Sequence, residues 1–355
     1  MNRCFCIVIL ALLWGIFPFL TMSASADSTT VTASENANAS MEESSAAALA
    51  ERLKTALATE PTEAPAPLII AAEQRSGQAL LLRPDLDWNS PEALVWSWNP
   101  AESKEIAPEH RGWFGHLSDV KPVEGTRRLL TVASGGGVAL VDLAQGSLLF
   151  YAYAGGNTHS AALLPDGKLV TASSTGNYLR LFTVPEEFTG PDQVQTADYP
   201  LTDAHGVVWD AARQMLWALG GEELVGYSYT PSREHPALKQ VFRKELPPEL
   251  TGGHDLYPIP GTRSLFITGT KGLGLFEPKT GTLLLIQAVE HLKSVSLDET
   301  GRFLVQQPNE SWWSDSLLYL NGSRPTVGTR SGARFYKARW WIPDPFSVDF
   351  TPGAL

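Results

Sequence analysis

Cysteine is almost absent from this sequence of 355 residues, which has only Cys4 and Cys6. Both lie in an opening segment typical of an export signal: Arg3, an apolar run over residues 5–22, and small residues over 24–26. We predict a signal peptide over residues 1–26, with a retained membrane anchor as the alternative. The cleaved protein would have no thiol, which excludes disulfides, thiolate nucleophiles and cysteine metal ligands.

Other absences narrow the class of protein further. After the first segment no apolar run is long enough to span a bilayer. Basic residues are outnumbered, 27 against 38 acidic, and the net charge of −11 argues against a nucleic-acid partner. A Gly-x-Ser-x-Gly elbow and a phosphate-binding loop are also missing. We therefore expect a secreted monomer, extracellular or periplasmic, with no membrane span after signal cleavage, that is neither a serine hydrolase nor a nucleotide enzyme.

Residues 27–67 differ in composition from all that follows. They are rich in Ser, Thr, Ala and Glu, and such a segment buries too little apolar surface to offset the entropy of ordering. A short helix fits residues 41–60, where Leu49, Leu53 and Leu57 recur every four residues. We predict a disordered linker containing this helix, then one domain over residues 68–350 and a tail over 351–355.

An internal repeat begins at Leu68. Short β-rich runs alternate with Gly, Pro and Asp, and one turn recurs in five successive units, about 40 to 48 residues apart. The turn is marked by Gly125, Gly167, Arg213, Gly261 and Gly301. This period, with four strands in each unit, predicts the blades of a β-propeller.

The sixth unit is divided between the two ends of the domain. Residues 68–73, 79–83 and 94–98 supply three strands, and residues 335–342 have the pattern of the missing inner strand. Pairing the two ends would remove open sheet edges. We predict an all-β, six-bladed propeller closed by its C-terminal strand.

The blades resemble WD40 and YVTN-type repeats. More specifically, the domain resembles an uncharacterised family of secreted six-bladed propellers, a domain of unknown function. The phrases that carry this resemblance are Ala71-Ala-Glu-Gln74, His205-Gly-Val-Val-Trp-Asp210, Gly253-His-Asp255, Glu310-Ser-Trp-Trp313 and Tyr336-Lys-Ala-Arg-Trp340. The chain departs from WD40 blades because no third strand ends in Trp-Asp. The resemblance implies the fold and no activity.

Histidines recur at one position of the repeat. His159, His205 and His254 begin the predicted inner strand of their blades, and Lys293 and Lys337 hold the equivalent place in two others. Because the inner strands of a propeller meet around a central channel, these side chains should converge. We predict catalytic roles for His159, His205, His254, Lys293, Lys337 and Arg339.

Further candidates surround the same end of the channel. The predicted turns between second and third strands open on this face, where loops on a rigid scaffold commonly bind ligands. The predicted substrate-binding residues are Glu73, Arg75, His116, His291, Glu310 and Trp312.

Two alternatives remain open for the histidines. In WD40 blades a Gly-His pair is structural, so His116 and His254 could serve the fold instead of a ligand. Alternatively, the imidazoles of His159, His205 and His254 could bind a divalent metal such as Zn or Mn.

The functional hypothesis that follows is a lyase or glycoside hydrolase acting on an acidic sugar or glycan. Histidine suits proton transfer, and Lys293, Lys337, Arg339 or a metal would neutralise the carboxylate of the substrate. The alternatives are a non-catalytic propeller that binds a glycan, a protein or a small molecule, and a calcium-dependent lactonase, for which Glu73 and Asn309 are the candidate ligands.

Overall fold

The structure is a computed structural model, and it describes residues 45–184 and 188–346. The predicted signal peptide, the first part of the predicted linker and the predicted tail lie outside the described residues. No helix in the described part of the chain has the length and hydropathy of a membrane span.

Twenty-four strands in the described residues form six antiparallel sheets of four strands, which we number as blades 1 to 6. Blade 1 contains β1 (Ile69–Glu73), β2 (Gln78–Leu82), β3 (Leu94–Trp98) and β24 (Phe335–Trp340). Blade 2 contains β4 (Leu117–Val123), β5 (Arg128–Ala133), β6 (Gly137–Asp142) and β7 (Leu148–Tyr153). Blade 3 contains β8 (Thr158–Leu163), β9 (Leu169–Ser173), β10 (Tyr178–Thr183) and β11 (Gln195–Pro200).

Blade 4 contains β12 (Gly206–Asp210), β13 (Met215–Leu219), β14 (Glu223–Thr230) and β15 (Ala237–Glu245). Blade 5 contains β16 (Asp255–Pro258), β17 (Leu265–Thr268), β18 (Gly272–Glu277) and β19 (Thr282–Ala288). Blade 6 contains β20 (Ser294–Leu297), β21 (Phe303–Gln306), β22 (Ser316–Tyr319) and β23 (Thr326–Thr329). Within the described ranges, three short 3-10 helices span Pro91–Ala93, Pro108–Phe114 and Pro191–Gln193.

The innermost strands close into a ring. In order they are β24, β4, β8, β12, β16 and β20, and each contacts the inner strands of both neighbouring blades. Strand β24 pairs with β1, with Ile69 opposite Trp340 and Ile70 opposite Arg339. The predicted six-bladed propeller, closed by its C-terminal strand, is therefore confirmed.

Apolar side chains fill the space between adjacent blades. Phe266 of blade 5 meets Phe303 of blade 6 with ring centroids 5.7 Å apart, and Trp217 of blade 4 meets Phe276 of blade 5 at 5.0 Å. The strands supply these contacts because their alternate residues point to opposite faces of each sheet. This packing holds the blades together in the described residues without any cysteine.

A helix over residues 45–58 precedes the first strand and packs against the propeller. Ala46, Ala50, Leu53 and Leu57 fall on one helical face and are buried in a cluster with residues of blades 5 and 6, among them Ile286. Residues beyond the helix are also attached, because Arg302 donates to the carbonyl oxygens of residues 64 and 65, at 2.6 and 3.1 Å.

This docked helix differs from the free linker expected from composition. Two of the four buried residues are alanines, whose small side chains add little hydrophobicity to a sequence average but allow the helix to approach the blades closely. The helix expected over residues 41–60 is thus present at 45–58, but it is part of the folded body.

Deleting the helix should destabilise the propeller. A chain beginning at residue 61 exposes the apolar surface around Ile286 and Leu292, and we expect a loss of about 2–4 kcal/mol in the free energy of unfolding. Urea unfolding of this chain, compared with one beginning at residue 39, measures the effect. Equal stability of the two chains would contradict the docking.

Candidate functional site

The chain enters most inner strands through the same left-handed turn. His116, Asn157, Asp203, Gly252 and His291 have φ between 51° and 64°, a conformation that Gly, Asn, Asp and His adopt more readily than other residues. The predicted ligand-binding residues His116 and His291 therefore occupy backbone turn positions, where their side chains are exposed. Two residues after each turn comes the first inner position, held by Ser118, His159, His205, His254 and Lys293.

Three of these positions form a histidine cluster. The rings of His159 and His205 stack with centroids 4.5 Å apart and an interplanar angle of 17°. His205 meets His254 edge to face at 5.3 Å. We call the end of the channel where this cluster lies the entry end, because every inner strand starts there. The predicted convergence of residues nearly a hundred positions apart is present.

Neighbouring groups orient each imidazole. Nδ1 of His205 lies 2.9 Å from the carbonyl oxygen of Asp203, and since a carbonyl only accepts, this nitrogen carries the proton. Lys293 donates from Nζ to Nε2 of His254 at 2.8 Å. The hydroxyl of Tyr336 lies 3.3 Å from Nδ1 of His159. Each imidazole of the cluster is thus held by a partner, and the carbonyl oxygen of Asp203 fixes the tautomer of His205.

Burial and positive neighbours keep the cluster uncharged. Burial, with the charges of His205 and Lys337, lowers the pKa of His159 well below its usual value. Burial also lowers the pKa of His205, although Asp203 acts in the opposite direction. For His254, burial and the Lys293 ammonium lower the pKa to about 2.

Lys293 is the cation that faces the cluster. Burial and the charge of Lys337 lower its pKa to about 8, so at neutral pH it is mostly an ammonium that deprotonates easily. Its side chain is half-buried, and its ammonium group contacts the ring of His254. This pair combines a cation with a neutral base at the surface of the channel.

The three histidines do not assemble the predicted metal site. A coordinated ion lies in the plane of each imidazole that binds it, and the nearly parallel planes of His159 and His205 share no such point. Nε2 of His254 is already occupied by Lys293. Across residues 45–184 and 188–346, no three His, Cys, Asp or Glu side chains are arranged to hold a metal ion.

Lys337 and Arg339, both predicted catalytic, lie inside the channel and are fully buried. Arg339 binds the carboxylates of Asp255 at 2.7 Å and Asp119 at 3.1 Å, and Lys337 lies 3.4 Å from Asp255. Lys337 also donates to the carbonyl oxygen of His159 at 3.1 Å, so it supports the cluster from within. Their charges are paired, and we assign both to the scaffold.

The sequence analysis missed the acidic members of this buried network. Asp119 also lies 3.6 Å from Lys121, so three basic side chains face two carboxylates, and burial lowers the pKa of Lys121. Burial opposes the charged form of Asp119, but the surrounding cations hold its pKa below the usual value. The repeat contained the signal, since Asp119 and Asp255 occupy the same position in two matching units.

Glu73 and Arg75 belong to a braced turn rather than to the cluster. The Glu73 carboxylate is buried and accepts from the backbone N–H groups of Arg75, Ser76 and Arg334 at 2.7–2.8 Å. Arg75 is exposed and donates to the carbonyl oxygen of Gly332 at 3.2 Å. With its oxygens already bonded, Glu73 is not available as the calcium ligand expected for a lactonase.

Trp312 is an exposed aromatic residue of this face. Its side chain is 49% exposed, and its indole N–H donates to Oε1 of Gln74 at 3.0 Å. Gln74 in turn donates to the carbonyl oxygen of Leu117, which anchors the ring near the entry of blade 2. Glu310 is exposed on the same turn, where its backbone pairs with that of Trp313.

Comparison with known proteins gives a family and a fold. Residues 39–352 match the family described as "Family of unknown function (DUF6528)". No curated protein matches the chain.

Similar solved structures include a protein of unknown function from Bacteroides caccae, with 10% identity, a TM-score of 0.51 and coverage of 77% of this chain and 98% of that one. A putative 6-phosphogluconolactonase from Bacteroides uniformis has 13% identity, a TM-score of 0.48 and coverage of 78% and 86%. A streptogramin B lyase has 9% identity, a TM-score of 0.43 and coverage of 61% and 70%. At these identities the similarity concerns the fold.

Proposed function

We propose that this chain, which belongs to DUF6528, a family of unknown function, is a secreted propeller that binds an acidic sugar or glycan at its entry end and transfers a proton on it. The observation that carries the proposal is the contact of the Lys293 ammonium with the neutral ring of His254. A cation that fixes a carboxylate, next to a base, is the combination that a uronate lyase requires.

Lys293 is the anchor for the substrate carboxylate. It is the half-buried cation next to the cluster, whereas the other nearby cations, Lys337 and Arg339, are fully buried and paired. The charge of Lys337, which is close enough to lower the pKa of Lys293, adds to the attraction for an anion. Both features favour a carboxylate over a neutral or cationic ligand.

The imidazole of His254 becomes available as a base when the anion arrives, because the Lys293 ammonium that donates to its Nε2 turns to the bound carboxylate. Positive neighbours help to hold the pKa of His254 near 2, and a bound carboxylate opposes their charge and raises that pKa again. In a lyase reaction the base takes the proton from the carbon next to the carboxylate, and the bond to the leaving oxygen breaks with its electron pair. A carbon–carbon double bond forms, and the leaving oxygen receives a proton, so no water is consumed.

A binding protein without catalysis is the second candidate. Trp312 supports it, because an exposed and anchored indole offers a flat apolar face on which a sugar ring can stack. The two candidates differ only in whether the bound sugar is cleaved.

Replacing Lys293 tests both candidates. We expect Lys293→Gln to weaken binding of oligogalacturonate or oligoglucuronate by about tenfold or more, because a hydrogen bond to a charged group is lost. Lys271→Gln is the matched control, since Lys271 is an exposed lysine on the turn between β17 and β18 at the same end of blade 5. Isothermal calorimetry measures the affinity.

Ultraviolet absorbance of the conjugated double bond reports cleavage in the same samples. Absorbance that appears with the parent chain and is lost in Lys293→Gln supports the lyase. Binding without absorbance supports the non-catalytic candidate. Equal affinity for acidic and neutral oligosaccharides, or equal loss in Lys271→Gln, would contradict the proposal.

A further inference from the structure

A groove at the entry end of blade 1 is lined by two arginines. It has a volume of about 600 Å³ and is formed by the turn between β1 and β2 together with the segment 330–333, which precedes β24. Arg75 and Arg330 line it, and Lys293 and the three histidines of the cluster do not. The volume lies within the range of about 300–1,000 Å³ usual for small-molecule sites. We call this feature the arginine groove.

Both guanidinium groups keep most of their hydrogen-bond donors available. Arg75 is exposed and uses one N–H group on the carbonyl oxygen of Gly332 at 3.2 Å, and Arg330 is half-buried and uses one on the carbonyl oxygen of Trp88 at 2.8 Å. A guanidinium has five N–H donors and is always charged. The unpaired nitrogens of Arg330 are not closed off from solvent. Among the described residues, no carboxylate lies within 4 Å of either guanidinium group.

The groove also contains a carboxylate, that of Glu73. Its oxygens accept from the backbone N–H groups of Arg75, Ser76 and Arg334 and from the hydroxyl of Ser76, so its lone pairs are engaged by the fold. Two guanidinium groups against this one carboxylate leave the groove positive. Arg334 is exposed at the edge of the same segment, over the ring of Trp313 at 4.9 Å, and adds a third guanidinium. Because the whole chain has a net charge of −11, this positive region is a local feature.

The rest of the groove suits a sugar ring. The amide of Gln78 and the hydroxyl of Ser331 line it, and neither has a hydrogen-bond partner among the described residues. Leu80 and Ala333 add apolar surface. Ligand sites commonly combine an apolar wall with a few polar groups that fix orientation. An acidic sugar would use all these groups, whereas a simple anion would use the arginines alone.

A short series of hydrogen bonds connects the groove to Lys293. The backbone N–H of Lys293 donates to the carbonyl oxygen of Gln306 at 2.9 Å, and the Gln306 amide donates to the carbonyl oxygen of Phe335 at 3.0 Å. Phe335 begins β24, directly after the segment that forms the groove. Strands β20 and β24 are neighbours in the ring of inner strands. A glycan bound at Lys293 can therefore extend onto blade 1 along the entry end.

We propose that the arginine groove binds a second acidic unit of the glycan whose first carboxylate is held by Lys293, with Arg75 and Arg330 donating to the second carboxylate. The preferred ligand is then an oligomer of uronic acids instead of a single acidic sugar. That one glycan occupies both sites rests on the function proposed above, whereas the affinity of the groove for an acidic unit does not.

The length of the oligosaccharide tests the groove on the full chain. By isothermal calorimetry we expect hexagalacturonate to bind about tenfold to a hundredfold more tightly than digalacturonate, because the longer chain reaches both sites. Arg75→Gln and Arg330→Gln should each weaken binding of the hexamer about tenfold, as for the loss of a hydrogen bond to a charged group. With both substitutions, the hexamer should bind about as tightly as the dimer.

Arg83→Gln is the matched control. Arg83 is an exposed arginine of the same blade that lies beyond the other end of β2, where it pairs with Asp85 at 3.2 Å. The substitution removes the same charge away from the groove, so both affinities should stay unchanged. A loss equal to that in Arg75→Gln would reduce the effect to general electrostatic attraction and overturn the site.

Three other ligands distinguish a glycan site from a site for any polyanion. Neutral maltohexaose, an acidic peptide of six glutamates and a short DNA duplex should each bind at least about tenfold more weakly than hexagalacturonate. Binding of the peptide or the duplex as tightly as the hexamer, weakened by the same two arginine substitutions, would overturn the selectivity for a sugar. Absence of hexagalacturonate binding would overturn the groove altogether.

Lys293→Gln separates failure of the groove from failure of the entry-end function. Weaker hexamer binding in Lys293→Gln and in both arginine variants supports one glycan in both sites. Weaker binding in Lys293→Gln alone overturns the groove and leaves the entry-end function standing. Weaker binding in the arginine variants alone contradicts the entry-end function and, with it, the occupation of both sites by one glycan. Should Arg330→Gln fail to fold without its bond to Trp88, Arg75→Gln on the exposed turn decides alone.

Discussion

Lowering the pH from about 7.5 to about 5.5 is expected to reduce the free energy of unfolding by about 3 kcal/mol. The pKa values of His159, His205 and His254 are all lowered from 6.5 in the folded protein. Below pH 6.5 the unfolded chain therefore binds protons that the folded chain does not. This part of the stability is fully present above pH 6.5 and is lost progressively as the pH falls toward the folded pKa values.

Two other titratable groups affect the pH dependence of the free energy of unfolding. Burial raises the pKa of Asp344 from 3.8 to about 6, so the folded state holds an extra proton in that interval and offsets part of the loss. Lys293, with its pKa lowered to about 8, is mostly protonated in both states over this range and contributes little to the change. As the pH falls, the loss of stability from the three histidines exceeds the gain from Asp344, so the folded protein is destabilised.

Urea unfolding across this pH range measures the effect. Replacing all three histidines by Gln should abolish most of the pH dependence, whereas His116→Gln and His235→Gln, at exposed positions, should leave it unchanged. A parent protein whose stability is constant from about pH 7.5 to about 5.5 would show that the cluster is not buried in its neutral form.

Asp255→Asn is expected to cost about 3–5 kcal/mol of stability, the usual effect of removing one partner from a buried ion pair. Asp255 binds Arg339 at 2.7 Å and lies 3.4 Å from Lys337, and all three side chains are fully buried. Asparagine keeps the shape and an acceptor for the backbone N–H of Val295, so the substitution chiefly removes the charge. The two cations would then share only Asp119.

An exposed ion pair provides the control. Arg180 and Asp198 form two hydrogen bonds of 2.7 Å on the surface of blade 3, and Asp198→Asn should cost less than about 1 kcal/mol. Adding Lys337→Met to Asp255→Asn should recover part of the loss, because one unpaired cation is removed. Costs of similar size for Asp255→Asn and Asp198→Asn would contradict the importance of burial.

The repeat made the architecture predictable. Turn residues that recur at a nearly constant spacing, with β-rich runs between them, predict blades without any knowledge of contacts. Counting the strands then shows that one blade, blade 1, is divided between the two ends of the domain. Closure by Phe335–Trp340 could be predicted because a sheet edge must be paired or protected. These inferences depend only on the residues that form turns and strands and on the spacing of the repeat along the sequence.

The docked helix shows the limit of composition. Residues 45–58 look like linker because they lie within the segment 27–67, which is rich in Ser, Thr, Ala and Glu, yet one face of the helix supplies Ala46, Ala50, Leu53 and Leu57 to the core. The partner surface consists of residues more than two hundred positions away. Only the assembled blades create the groove that selects the helix.

The sequence by itself determined the blades, the closing strand and the convergence of His159, His205 and His254, because a repeated position in a propeller always faces the same channel. Tertiary structure alone decided how these groups are charged and paired. Asp119 and Asp255 form ion pairs with the buried cations Lys337 and Arg339. The stacked rings of His159 and His205 cannot share a metal ion, and Lys293 remains as the cation beside the cluster. The physical reason is that charge state and orientation depend on burial and on distances of a few ångströms between blades, which a one-dimensional period does not contain.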